Sequence, residues 1–267
     1  MKKLVLCDMD GTLLDSKRQL PKELDAVIKA LKEKDVSFGI ASGRQFYRLR
    51  KQFQDYDDML IIAENGASVY CSDKNLFSYG LNEDYVLKVS VKLLPRFDYG
   101  IVYAGLKGSY VHKKINEIAY DNTKMYCENV FFFDDIKDVI KEDKIIKIAC
   151  FIEEGNADEL IDEFKEFEKD AKVAVSAKQW IDINALGVSK GLALKRIKEL
   201  YSLKDEDCYA FGDYDNDIEL LKEAYHSYAM ANAKDNIKKV ARYTCPSNDD
   251  NGVIKTLVSE FKLEIKD

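Results

Sequence analysis

Lys3-Leu4-Val5-Leu6-Cys7-Asp8-Met9-Asp10-Gly11-Thr12 is the stretch on which the fold is decided. It opens with a short apolar run (3–7) and passes directly into polar residues and a glycine, as a strand buried on both faces of a parallel sheet does. Asp8 and Asp10 stand two apart at the strand end, so both carboxylates can point to one side of the sheet. Downstream, Pro21 opens a helical pattern with Leu24, Val27, Ile28 and Leu31 at i, i+3, i+4 and i+7. Residues 36–44 (VSFGIASGR) read as a second strand ending in Ser and Gly, residues 45–54 as a helix and 59–63 as a third strand. This β-α-β-α-β order predicts a right-handed, helix-covered parallel sheet.

The period then changes. Residues 83–94 look helical, while GIVYAG, SYVHK, KIIKIACFI, KVAVS and QWIDIN look like strands, with helices near 115–127 and 156–169. The order α-β-β-α-β-α-β-β with short strand connections predicts an antiparallel sheet with helices on one face. From Val188 the β-α alternation resumes with a helix over 190–200, the strand CYAFG (208–212), a helix over 216–223 and the strand SYAMA (227–231). The expected fold class is therefore α/β: a Rossmann-like parallel core built from 1–82 and 186–267, interrupted by an α+β module at 83–185.

Composition narrows the chemistry. The chain has 267 residues, 46% of them hydrophobic, with 41 Lys and Arg against 48 Asp and Glu, a net charge of −7. That sign disfavours nucleic acid or an anionic membrane as partner, because both call for a basic stripe. The apolar run after Lys3 is broken by Asp8 and Asp10 too early for a signal-peptide core, and no segment approaches the roughly 20 apolar residues of a membrane span. The six cysteines form no C-x-x-C pair, which reads as reduced core thiols in a cytoplasmic protein. With only His112 and His226 in the chain, a His-based zinc site or a Ser-His-Asp triad has little material. Carboxylates, hydroxyls, Lys and Arg remain.

In an open parallel sheet, ligands bind outside the carboxyl ends of the strands. Those ends carry Asp8, Asp10 and Thr12, then Ser42, Gly43 and Arg44, then Gly212 and Asp213, while Lys190 opens a helix of the same core. Each also fits a local role. Asp10-Gly11-Thr12 suits a turn, Asp213, Asp215 and Asp217 suit a helix start, Ser42 suits an N-cap and Lys190 a solvated helix face. A calcium loop starting at Asp213 is excluded, since it needs Gly at 218 and Glu at 224 where the chain has Ile218 and Ala224. If the carboxylates converge, a divalent cation relieves their repulsion, and an all-oxygen donor set favours Mg²⁺. Mg²⁺ with Lys190 and the Ser42 hydroxyl is an environment for a phosphate dianion, hence phosphoryl transfer. No Walker A loop or G-x-G-x-x-G fingerprint is present.

Asp8-Met9-Asp10-Gly11-Thr12-Leu13-Leu14, Ser42-Gly43-Arg44, Lys190-Gly191 and Gly212-Asp213 with Asn216-Asp217 resemble, in order and position, the four motifs of the haloacid dehalogenase superfamily. E-N-G-A (64–67), G-V-S-K-G-L-A-L (187–194) and N-D-D-N-G-V (248–253) resemble its Cof-type phosphatase branch. The resemblance implies a cap of the C2 type between the second and third motifs, closing over the site. It implies Asp8 as nucleophile forming an aspartyl-phosphate, and Asp10 as the acid to the leaving alcohol and base to water. Mg²⁺ is then held by Asp8, the Asp10 carbonyl and Asp213, with Asp217 acting through waters or Lys190. Ser42, Gly43, Lys190 and Asn216 hold the phosphate. The implied function is a phosphatase of small phosphorylated metabolites, of the sugar phosphate, pyridoxal phosphate or FMN class. The alternatives are a phosphotransferase or mutase on the same intermediate, and a non-catalytic phosphate-responsive module.

Overall fold

The computed structural model describes residues 1–96, 98–154 and 156–265. Its strands are β1 (Lys3–Cys7), β2 (Val36–Ala41), β3 (Leu60–Ala63), β4 (Ser68–Cys71), β5 (Lys74–Ser78), β6 (Tyr99–Gly105), β7 (Ser109–His112), β8 (Val130–Phe133), β9 (Ile145–Ile152), β10 (Ala171–Ala177), β11 (Trp180–Ala185), β12 (Cys208–Gly212), β13 (His226–Met230) and β14 (Tyr243–Cys245). The helices are α1 (Leu24–Glu33), α2 (Phe46–Gln52), α3 (Glu83–Leu93), α4 (Glu117–Tyr126), α5 (Ile136–Glu142), α6 (Ala157–Leu160), α7 (Lys190–Tyr201), α8 (Ile218–Glu223), α9 (Asp235–Val240) and α10 (Gly252–Phe261). Two compact units result, one of Met1–Gly43, Asp55–Asn75 and Ser189 onward, the other of Arg44–Gln54 and Leu76–Val188.

The first unit is built on an eight-stranded sheet ordered β14-β13-β12-β1-β2-β3-β4-β5. β14 through β3 pair in parallel and β4 joins antiparallel to β3. The α/β class read from the alternation is met. Leu4, Val5, Leu6 and Cys7 are all fully buried, which is why β1 is apolar at every one of these positions rather than at alternate ones. Burying each Val or Leu contributes roughly 1.5–3 kcal/mol relative to leaving it exposed. The chain leaves β1 toward β2 on one side and returns to β12 on the other, so the strand order reverses between β1 and β12. Register there pairs Cys7 with Phe211, and the Asp8 amide donates to the Phe211 carbonyl at 3.1 Å. Asp8 and Asp213 thus leave neighbouring strands at the crevice where such sheets bind ligands.

The second unit has a six-stranded sheet ordered β10-β11-β9-β6-β7-β8. Two expectations need correction here. First, the expected element order lacks β8 and α5, and β8 lies parallel to β7; the excursion through α4 carries the chain back to start β8 in the same direction, as a helical crossover does. Second, helices cover both faces. Val86 and Val89 of α3, Ile136 and Val139 of α5, and Phe164 and Phe167 pack on one face with Tyr103, Ile148 and Ile183. Ala119 of α4 packs on the other with Val102, Phe151 and Trp180. The expected helix over 156–169 is α6 followed by a 3₁₀ segment over Ile161–Phe167.

The expected boundaries at 82/83 and 185/186 differ from this grouping mainly at α2. Its flank is tied within the second unit, where Gln45 donates to Ser109 Oγ at 3.0 Å and accepts from the Glu128 amide at 2.8 Å. Arg44 donates to Gln52 Oε1 at 3.3 Å in the same unit. Of the Phe131-Phe132-Phe133 run, only Phe133 is buried. Among the described residues, no helix is long and apolar enough to cross a membrane.

Candidate active site

At the carboxyl end of β1, Asp8 is buried and Asp10 exposed. The intervening turn closes locally, with the amides of Leu13 and Leu14 donating to the Met9 carbonyl at 3.1 and 2.9 Å. Gly11 has φ +82°, and a Cβ there would stand 2.4 Å from Asp213 Oδ2. Glycine is required on both counts, conformation and space. Thr12 reaches across the sheet, its hydroxyl donating to Asp213 Oδ1 at 2.7 Å. The turn is therefore local in its backbone and long-range in its side chains.

Lys190 is the first residue of α7, behind Ser189, whose side chain accepts from the Leu192 amide as N-cap. A cation at a helix start opposes the macrodipole, and Lys190 is fully buried, so the solvated-lysine role is excluded. Its ammonium sits 2.5 Å from Asp8 Oδ1 and 2.6 Å from Asp217 Oδ1. Asp217 is bonded through both oxygens: Oδ1 accepts from Lys190, and Oδ2 accepts the amides of Asp213 and Tyr214 at 3.0 and 3.1 Å. Asp215 points elsewhere, pairing with Lys234 and Asn236.

Carboxylate oxygens of Asp8, Asp213 and Asp217 lie within 4.8 Å of one another. At that separation each like-charged pair repels by roughly 3.5 kcal/mol at an effective dielectric of 20. Burial pushes the Asp8 carboxyl up, against the pull of Lys190. Burial likewise raises Asp213 to about 6, opposed by its bond from Thr12. Lys190 moves above its ordinary value, since Asp217 and Asp8 outweigh its desolvation. Three carboxylates face one ammonium, so the cluster holds more negative charge than Lys190 neutralises. Its donors are all carboxylate oxygens, the set a hard divalent cation takes.

Ser42 is buried after β2; its amide donates to the Ile62 carbonyl and its carbonyl accepts the Asn65 amide. It is not a helix cap, since the N-cap of α2 is Gln45. Gly43 follows, against the Asn65 side chain. Asn216 Nδ2 donates to Asn65 Oδ1 at 2.9 Å. The structure thus joins Asp8, Lys190, Asp213 and Asp217 in one cluster, and links Ser42, Gly43 and Asn216 through Asn65. The Asp10 carboxylate stands outside the three-carboxylate group, near enough to act on Asp213 electrostatically. Sequence reasoning gave no role to the Thr12 hydroxyl or to Asn65. The only signal for Asn65 was its place in E-N-G-A.

A doubly wound sheet with a lysine among carboxylates at its switch point defines the class, an α/β enzyme built for a charged phosphoryl group. The model of the haloacid dehalogenase-like hydrolases matches residues 5–257, and the chain belongs to that family, as a phosphatase acting on phosphoric monoesters. It is similar to the 5-amino-6-(5-phospho-D-ribitylamino)uracil phosphatase YbjI of Escherichia coli, at 30% identity over 98% of this chain and 97% of that protein. It is similar also to the enzyme of the same name, YcsE, of Bacillus subtilis, at 27% identity over 96% and 94%. A solved structure from Eubacterium rectale matches with TM-score 0.85 and 30% identity over 97% of this chain and 99% of that one.

Proposed function

We propose that the chain is a Mg²⁺-dependent phosphatase of small phosphate monoesters that works through an aspartyl-phosphate on Asp8. The observation that carries this reading is the buried Lys190 ammonium bridging Asp8 and Asp217, with Asp213 completing a cluster of three carboxylates. Asp8, Asp213 and Asp217 supply the oxygens that would hold the cation, together with the Asp10 carbonyl. Mg²⁺ bound there neutralises the carboxylates and draws charge from the phosphoryl oxygens.

In the first half-reaction a carboxylate oxygen of Asp8 forms a bond to phosphorus while the bond to the leaving alcohol breaks, and Asp10 gives that alcohol its proton. In the second, water attacks phosphorus, its proton passes to Asp10, and the acyl-phosphate bond breaks to release phosphate. Asp10 suits both steps by its exposure at the strand end, whereas Asp8 is fixed in place by Lys190. Ser42, the Gly43 backbone, Lys190 and Asn216 hold the phosphoryl oxygens.

Two relatives are named for 5-amino-6-(5-phospho-D-ribitylamino)uracil, and we take this phosphorylated ribityl compound as the first substrate to test. The experiment is phosphate release from it and from sugar phosphates, pyridoxal phosphate and FMN, with Mg²⁺ or EDTA, by wild type and Asp8→Asn. Metal-dependent release by the wild type, abolished in Asp8→Asn, is expected. Full activity in the variant overturns the mechanism, and transfer to an added alcohol in place of release makes the chain a phosphotransferase.

A further inference from the structure

Glu64, Asn65 and Gly66 follow β3 in three consecutive left-handed conformations, with φ of 50°, 56° and 103°. Two of the three carry a Cβ, and glutamate is poorly suited to that region. Such backbone persists only where surrounding contacts fix it, and it clusters at functional sites.

The contacts of this turn run to three separate loops of the first unit. The Asn65 amide donates to the Ser42 carbonyl at 3.0 Å, and the Asn65 side chain lies 3.1–3.4 Å from where a Gly43 Cβ would stand. Gly66 meets the start of α7 so closely that a Cβ would fall 2.2 Å from the Ser189 carbonyl oxygen and 3.0 Å from the Lys190 amide. Asn65 Oδ1 accepts from Asn216 Nδ2 at 2.9 Å. One turn therefore touches the segments carrying Ser42 and Gly43, Lys190, and Asn216.

We propose that Asn65 is a positioning residue for the phosphoryl group: its carboxamide orients the Asn216 amide while its main chain holds the Ser42–Gly43 loop. Taking one N–H of Asn216 fixes which end of that carboxamide is the donor and leaves the second N–H for a phosphoryl oxygen. The left-handed backbone explains the residue type, since asparagine adopts it more readily than other side chains long enough to reach Asn216. This inference rests on the proposed role of Ser42, Asn216 and Lys190 as the phosphate cradle.

The test uses the full chain, p-nitrophenyl phosphate as substrate and inorganic phosphate as competitive inhibitor. Asn65→Gly keeps the backbone conformation and removes the carboxamide. It is expected to raise KM and the phosphate inhibition constant together by about tenfold, the scale of one lost hydrogen bond, with kcat changed less. Asn216→Ala raises both, and the double variant goes no further than Asn216→Ala alone, because the second contact is already gone. A residue that merely supported the fold would multiply its effect with that of Asn216. Constants within twofold of wild type in Asn65→Gly, or multiplied effects in the double variant, overturn the proposal. Should Asn65→Gly fail to fold, Asn65→Ser enters the same cycle with the same two outcomes. A wild type inactive on p-nitrophenyl phosphate, or an Asp8→Asn variant with full turnover, overturns the proposed function itself.

Discussion

Replacing Lys190 by Met removes one buried ammonium from between two carboxylates. Its Nζ lies 2.5 Å from Asp8 and 2.6 Å from Asp217, with neither the lysine nor the Asp217 side chain exposed. At such distances each attraction is roughly 6 kcal/mol at an effective dielectric of 20, but the cost of desolvating the lysine offsets much of it. Removing one partner of a buried ion pair typically costs about 3–5 kcal/mol, because the charge left behind has no compensation. At roughly 2–4 °C per kcal/mol, the melting temperature in EDTA should fall by about 6–20 °C. The assay is thermal and urea unfolding of Lys190→Met beside the wild type, with a second variant that also carries Asp217→Asn. Neutralising Asp217 removes part of the orphaned charge, so the double variant should recover at least about 1 kcal/mol relative to Lys190→Met. A loss below about 1 kcal/mol in Lys190→Met, or a double variant no more stable than the single, would refute the view that Lys190 offsets a surplus of buried negative charge.

Other outcomes follow from neighbouring geometry. Mg²⁺ should raise the melting temperature of the wild type by mass action and that of Asp213→Asn much less, as read by a Mg²⁺ titration in differential scanning fluorimetry; equal shifts would exclude Asp213 as a ligand. Gly11→Ala places a Cβ 2.4 Å from Asp213 Oδ2 at φ +82°, so phosphate release should drop about 100-fold through misplacement of the Asp8–Asp10 turn, with a stability cost of about 1–3 kcal/mol. Asp143 accepts from the amides of Leu106, Lys107 and Lys144 and the Tyr110 hydroxyl. Asp143→Ala should therefore destabilise the second unit by about 2–4 kcal/mol, seen as earlier hydrogen exchange over residues 99–111.

Which residues lie at the strand ends of the core was legible because a doubly wound sheet places its crevice there, and those ends are marked by the change from apolar to polar residues. Asp8, Ser42 and Asp213 could be read in that way, and Lys190 from its place at the start of a core helix, while its burial could not. β8 escaped because an apolar run of only four residues does not by its periodicity distinguish a strand from other packed segments. The 3₁₀ course of Ile161–Phe167 escaped because its apolar spacing also fits an α-helix.

The α/β alternation, the change of period after residue 82 and the supply of carboxylates and hydroxyls can be read along the chain, since periodicity and residue type are local properties. The burial of Lys190 between Asp8, 182 positions away, and Asp217, 27 positions away, is visible only in the folded chain. The same holds for the bonds from Thr12 to Asp213 and from Asn216 to Asn65. The reason is physical: a hydrogen bond is fixed by distance and direction in space, and the sheet order that brings β1 beside β12 leaves no pairing signal in either strand.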